Sequence, residues 1–257
     1  MDFKIDYSCP KCRQQINIAG GYLDNTETVK LTCPKGHKTE AFVVVPRFSL
    51  YFDKGVRALK KGYYYEGYSW IYTSLEVFRK IFLKAHLSVI AEIPIEAINK
   101  TFDGKFKLSE NIYGAYASAY LSYFGFGPDL NKKSPYPILG SEEIARRNAM
   151  FHMGSMPSIE EIEKDCYKIY QHMKFGYHNF VDNKVPIIAL YYGNCYHSWA
   201  ESRNVNSDDV LSQNISLLNS DLGVFQSNNL GIFNRDGTGD FLTYQELIEN
   251  ASDWFRP

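Results

Sequence analysis

The feature that most constrains the fold is the spacing of cysteine and histidine near the start of the chain. Cys9 and Cys12 are separated by two residues, Cys33 and His37 by three, and twenty residues lie between the two pairs. Both pairs begin with Cys-Pro-Lys, and a tight turn of this kind presents two ligands at the separation that tetrahedral zinc requires. A chance cluster of reduced thiols is the alternative. The spacing favours one structural zinc ion per chain, held by all four residues with no position left for a catalytic water.

Residues 1–47 are predicted to form a small β module around this metal site. A unit of this size buries too little apolar surface to fold alone, so metal binding and folding should be coupled. The arrangement resembles zinc ribbons, although Cys-x3-His replaces the usual second Cys-x2-Cys. Alternating apolar residues between Gly- and Asn-containing turns predict strands at 15–18, 28–31 and 41–45.

Four basic residues lie beside the metal ligands: Lys11, Arg13, Lys35 and Lys38. They are candidates to position RNA or a partner protein, and ordinary solvated surface charge is the equal alternative. The formal net charge of the whole chain is -1 and the pI about 6.6, which excludes a global basic field. Nucleic-acid binding would therefore depend on a local patch or a recessed site.

From residue 48 the apolar pattern becomes helical, and the predicted fold class is mainly α. We expect a helical domain over 48–202 and a C-terminal extension over 203–257, partly helical and of unknown role. Ser158 with Glu161, and Thr243 with Glu246, match capping boxes that start helices. Helices are predicted over 48–61, 64–89, 95–98, 109–124, 141–153, from 158, over 185–202 and from 243 to 254. The buried face of the second should carry Tyr68, Ile71, Leu75, Phe78 and Phe82.

The start of the chain has no secretory pattern, and no apolar run is long enough to cross a bilayer. We therefore expect a cytoplasmic protein with no membrane partner. Cys166 and Cys195 lie in apolar helical contexts and are predicted to be reduced core residues.

The segment from Arg147 and Asn148 to His152 carries the side chains most suited to phosphodiester chemistry. Arginine neutralises phosphate charge, and histidine moves protons near neutral pH. Gly154 follows closely and ends the helix, so His152 should lie at its terminus. Arginine and histidine are also common near helix ends for structural reasons alone. Glu143, four residues before Arg147, is expected to orient it.

This pattern resembles the HEPN superfamily, helical domains of ribonuclease toxins, abortive-infection proteins and CRISPR effectors, whose motif is Arg, a polar residue, and His four to six positions after Arg. The resemblance covers about 48–200. It implies that Arg147 stabilises charge on the phosphorane, that His152 acts as general acid or base, and that Asn148 orients phosphate or ribose. Arg146 also fits the permitted spacing, so the choice between the two arginines is open.

One copy of the motif offers one imidazole, whereas cleavage by 2′-OH attack needs both a base and an acid. The resemblance implies a homodimer that brings two motifs together, cleaves RNA without metal and leaves 2′,3′-cyclic phosphate ends, in phage defence or as a toxin. The alternative is a non-catalytic adaptor in which the zinc ribbon and helices bind nucleic acid, nucleotide or a partner protein.

Overall fold

The computed structural model describes residues 4–9, 11–19, 28–42, 46–104, 109–128, 141–178, 186–202 and 243–249. In this part the protein is mainly helical, as predicted. The expected strand residues 43–45, most of the C-terminal extension and the end of its predicted terminal helix lie outside the described residues.

Two antiparallel hairpins form the described portion of residues 1–47. Strand β1 (Lys4–Ser8) pairs with β2 (Gln15–Ala19), and β3 (Thr28–Thr32) pairs with β4 (Lys38–Phe42). The sequence pattern did not predict β1, and β4 begins three residues earlier than the strand expected at 41–45. Each pair of predicted metal ligands therefore lies in the turn that closes a hairpin.

The first two helices, α1 (Arg47–Lys60) and α2 (Tyr64–Ala85), form a closely packed antiparallel pair. Gly55 and Gly67 allow this approach, because a Cβ added at Gly55 would lie 2.5 Å from Cγ1 of Ile71 and one at Gly67 would lie 2.6 Å from the Leu59 side chain. The turn between the helices contains Gly62 at φ +80°, in the left-handed region that glycine adopts without strain.

Helix α2 runs through the centre of the helical core. A π-helical segment (His86–Ile90) continues it, so the single long helix predicted over 64–89 changes its hydrogen-bonding pattern near its end. The five residues predicted for its buried face are all fully buried, which confirms the apolar periodicity. Around α2 pack α1, α4 (Ser109–Phe124), α6 (Ile159–His178) and α7 (Ile187–Glu201), whereas α3 (Ile95–Gly104) contacts the π segment and α7.

Helix α5 (Ser141–Met153) and the short helix α8 (Tyr244–Glu249) complete the described elements. Both predicted capping boxes are present: the Ser158 Oγ accepts from the Glu161 backbone N–H, and Thr243 and Glu246 make the same exchange before α8. Cys166 is fully buried and Cys195 half-buried, and neither forms a disulfide. None of the described helices has the length and apolar character needed to span a bilayer.

Candidate functional site

The four predicted metal ligands lie together. The Cys and His ligand atoms of this group are all within 4.8 Å of one another. The Sγ atoms of Cys12 and Cys33 are 3.7 Å apart, as are Cys9 Sγ and His37 Nδ1. Ligands about 2.3 Å from a tetrahedral ion would be separated by roughly 3.7 Å, so the donor set fits zinc.

Turn geometry fixes these ligands on the backbone. The Cys9 N–H donates to the Gln14 carbonyl and the Arg13 N–H to the Cys9 carbonyl, which closes the first turn with Arg13 at φ 56°. In the second turn the Cys33 N–H donates to the His37 carbonyl, and the Gly36 N–H to the Cys33 carbonyl. The turns are therefore held by their own hydrogen bonds, and the four side chains converge between them.

Burial, hydrogen bonds and neighbouring thiols shift the pKa values of Cys9 and Cys12 in opposite directions. Burial raises the pKa of Cys9, but hydrogen bonds from the backbone N–H groups of Cys12 and Lys11 and from the side chains of Cys12 and His37 together outweigh it and lower that pKa to about 6. The backbone hydrogen bond from Gln14 lowers the pKa of Cys12, but burial and the thiols of Cys9 and Cys33 raise it overall. Thiols brought this close without a cation disfavour one another's ionisation, and a bound cation would relieve that effect.

The second hairpin lies against the helical part of the chain. Phe42, at the end of β4, contacts Tyr196 edge-on with ring centroids 5.8 Å apart and Trp199 at the same distance. Both partners belong to α7, so this aromatic cluster joins the second hairpin to the helical core.

The two candidate arginines of α5 have different surroundings. Arg146 makes a bidentate ion pair with Asp165 of α6, with its NH2 2.7 Å from Oδ1 and its Nε 3.2 Å from Oδ2. The Asp165 side chain is fully buried, and it also accepts a hydrogen bond from the Tyr68 hydroxyl at 3.0 Å. Burial and the neighbouring Asp165 carboxylate raise the pKa of Tyr68 far above its ordinary range, so it stays a donor. Arg146 therefore joins α5 to the core.

The structure corrects the expected role of Glu143. Its carboxylate is ion-paired with Lys168 of α6 and lies 4.0 Å from Arg146, so it belongs to the same α5–α6 contact. The carboxylate that contacts Arg147 is Glu76 of α2, with the two charged atoms 3.4 Å apart. No local pattern marks Glu76, because it lies 71 residues from Arg147 in the chain.

Arg147 lies on the side of α5 that faces α2, held between two aromatic rings. Its guanidinium carbon is 4.7 Å from the Tyr72 ring centroid and 4.9 Å from that of Phe151. Its NH1 donates to the Asn148 side-chain oxygen at 3.0 Å. These contacts orient the guanidinium without enclosing it, since a quarter of the side chain is exposed. The arginine is positioned in advance and is accessible to an anion.

His152 is exposed in the last turn of α5. None of the contacts of Arg147 described above involves His152, because five residues of helix turn through roughly 140° and place the two side chains on different faces. Large apolar side chains around the same helix end are exposed, namely Met153 (74%), Met156 and Ile159. His152 is thus available to a ligand or to a second protein surface.

Comparisons with protein-family models, curated proteins and solved structures found no match to this chain.

Proposed function

We propose that this protein is an endoribonuclease of the HEPN type, which cleaves RNA by 2′-OH attack at a site built from two copies of the chain. The observation that carries the proposal is the end of α5, where Arg147 is held by Glu76 and two aromatic rings while His152 is exposed nearby. An oriented cation and an accessible imidazole at the same end of a helix are the minimum that such chemistry requires.

In the proposed reaction one His152 takes the proton of the ribose 2′-OH, and the resulting oxygen attacks the adjacent phosphorus. The bond from phosphorus to the 5′-oxygen breaks, and that oxygen takes a proton from the second His152. The products are a 2′,3′-cyclic phosphate and a 5′-hydroxyl. Arg147 neutralises the charge that builds up on the non-bridging oxygens, and the Asn148 amide donates to phosphate or ribose.

The second imidazole must come from another copy of the chain, and the surface around His152 supports such a pairing. Met153, Met156 and Ile159 follow His152 within seven residues and expose large apolar side chains, which in a contiguous patch are typical of a covered interface. In a two-fold dimer the same patch serves both copies. We propose that these residues bring the two α5 ends together.

The Cys/His cluster has a separate, structural role in this proposal. It would hold zinc with four protein ligands as a zinc ribbon, which stabilises the hairpins and leaves the chemistry to Arg147 and His152. Phage defence or a toxin role would fit such an activity.

The test is cleavage of RNA by the purified protein in the presence of EDTA. Arg147→Ala and His152→Ala should each reduce cleavage at least ~100-fold, the usual contribution of one acid-base or electrostatic group, with unchanged circular dichroism. The exposed Lys164→Ala on α6 is the matched control and should cleave like wild type. Full activity in both site variants would contradict the proposed mechanism. Absence of cleavage on every RNA tried would favour the adaptor function.

A further inference from the structure

We propose that the two metal-binding turns, residues 9–14 and 32–38, form a face that binds the phosphate backbone of single-stranded RNA, apart from the site on α5. The choice of RNA rests on the proposed function, because the strand held here would be the one cleaved at α5. Binding of phosphate by this face stands on the charges and geometry of the turns themselves.

The charges of the two turns have one sign. Lys11, Arg13, Lys35 and Lys38 are all exposed, and neither turn contains an aspartate or glutamate. Three thiolates and one neutral imidazole around a divalent ion carry a net charge of about -1. The four cations therefore leave this face with about three positive charges, in a chain whose formal net charge is -1. This is the local patch that nucleic-acid binding by a near-neutral chain requires.

The turns bring together the backbone segments that carry these cations. Because the ligand atoms lie within 4.8 Å of one another, both turns converge on one point, and each basic residue is within two positions of one of the four ligands in the chain. Internal hydrogen bonds fix each turn, and the left-handed conformations of Arg13 and Gly36 let the chain reverse tightly. Cations placed in advance on a rigid base lose less entropy on binding than cations on a flexible segment.

The composition of this face favours nucleic acid over a protein partner. Lysine is depleted in protein–protein interfaces, where aromatic anchors provide most of the binding energy. The exposed residues of the turns include three lysines and one arginine and no aromatic side chain. Lysine and arginine are the residues that bind phosphate oxygens. Short projecting turns also suit a flexible single strand better than the deep, narrow major groove of an RNA duplex.

The experiment measures binding of a labelled uridine oligonucleotide of about 16 nucleotides by fluorescence anisotropy. The protein is the zinc-loaded full chain carrying His152→Ala, so that the RNA stays intact. If four phosphates are neutralised, the logarithm of affinity should fall with the logarithm of salt at a slope of about -3, or roughly 50-fold between 50 and 200 mM. Replacing Lys11, Arg13, Lys35 and Lys38 with glutamine should remove most of the affinity and flatten this slope.

The matched control replaces four lysines of the helical domain with glutamine and changes the net charge equally: Lys61, Lys80, Lys100 and Lys164. It should keep the slope and most of the affinity. The zinc content of each variant is measured and must stay at one ion per chain, which shows that a loss of RNA binding does not come from unfolding of the turns. Equal affinity and slope in the turn variant and its parent would overturn the proposal, as would equal losses in the two quadruple variants. Because the parent is inactive, salt-dependent binding through the turns would stand even if the wild-type chain cleaved no RNA.

Discussion

Substitution of the two adjacent arginines of α5 by alanine should destabilise the protein to clearly different degrees, and this prediction tests how the helix is held. Arg146→Ala removes the partner of Asp165, whose side chain is fully buried, and leaves that carboxylate with the Tyr68 hydroxyl. Breaking a buried pair on one side typically costs about 3–5 kcal/mol, because the remaining charge has lost both water and counterion. For a chain of this size, that corresponds to a fall in Tm of roughly 6–20 °C.

Arg147→Ala should cost much less stability. Its ion pair with Glu76 is partly exposed on both sides, and such pairs contribute up to about 1 kcal/mol. The contacts with Tyr72 and Phe151 add about 0.5–1 kcal/mol each. The Arg147 Nε is buried with no hydrogen-bond partner in the described part of the chain, which destabilises the folded state. Removing this group should therefore offset part of the loss. We expect a net loss of about 1–2 kcal/mol together with the loss of RNA cleavage.

Urea unfolding followed by circular dichroism, with zinc in excess, gives the free energy of unfolding for both variants. Asp165→Asn combined with Arg146→Ala provides the control, because its cost should be clearly below the sum of the two single substitutions. An Arg147→Ala variant destabilised as much as Arg146→Ala would refute the assignment of structural and accessible roles to the two arginines. A fully additive double variant would refute the coupling of Arg146 to Asp165.

Three further predictions concern other parts of the molecule. Removing the metal with a chelator should unfold the hairpins while most of the helical circular-dichroism signal persists. Trp199 fluorescence should change because its contact with Phe42 is lost. Unchanged hairpin amide resonances in NMR spectra of the metal-free protein would contradict this prediction. Met153→Glu with Met156→Glu should convert a dimer to a monomer in analytical ultracentrifugation and abolish cleavage, whereas a variant that stays dimeric and active would place the interface elsewhere. Burial lowers the pKa of His86 below its ordinary value of 6.5, so the unfolded chain binds the proton more tightly than the folded chain. The free energy of unfolding should therefore fall as pH drops below about 6.5, by at most about 1.4 kcal/mol per pH unit. His86→Gln should lose this part of the acid sensitivity, and identical pH dependence of stability in the two proteins would count against the prediction.

Local patterns predicted the helical elements well. The buried face of α2 was correct at every predicted position, because a helix repeats every 3.6 residues and its apolar stripe can be read from the sequence. Both capping boxes formed as expected, since donor and acceptor lie three residues apart. Strand β1 was not predicted, and the π-helical segment that follows α2 was predicted as ordinary helix. Neither has a distinctive local signature.

The sequence by itself determined which residues can hold a metal. Ligands separated by two or three residues meet through turn geometry alone, so Cys9, Cys12, Cys33 and His37 could be identified from their spacing. It also placed arginine, asparagine and histidine at one helix end. It left Arg146 and Arg147 equivalent, because their local contexts are nearly the same.

Only the tertiary structure distinguished the two arginines. The carboxylates that contact them lie 19 and 71 residues away, on helices whose packing no local pattern specifies. Asp165 is buried and holds Arg146 against the core, whereas Glu76 is partly exposed and leaves Arg147 open to an anion. The physical reason is that the cost of desolvating an ion pair depends on where the fold places it, and burial is a property of the whole packed chain.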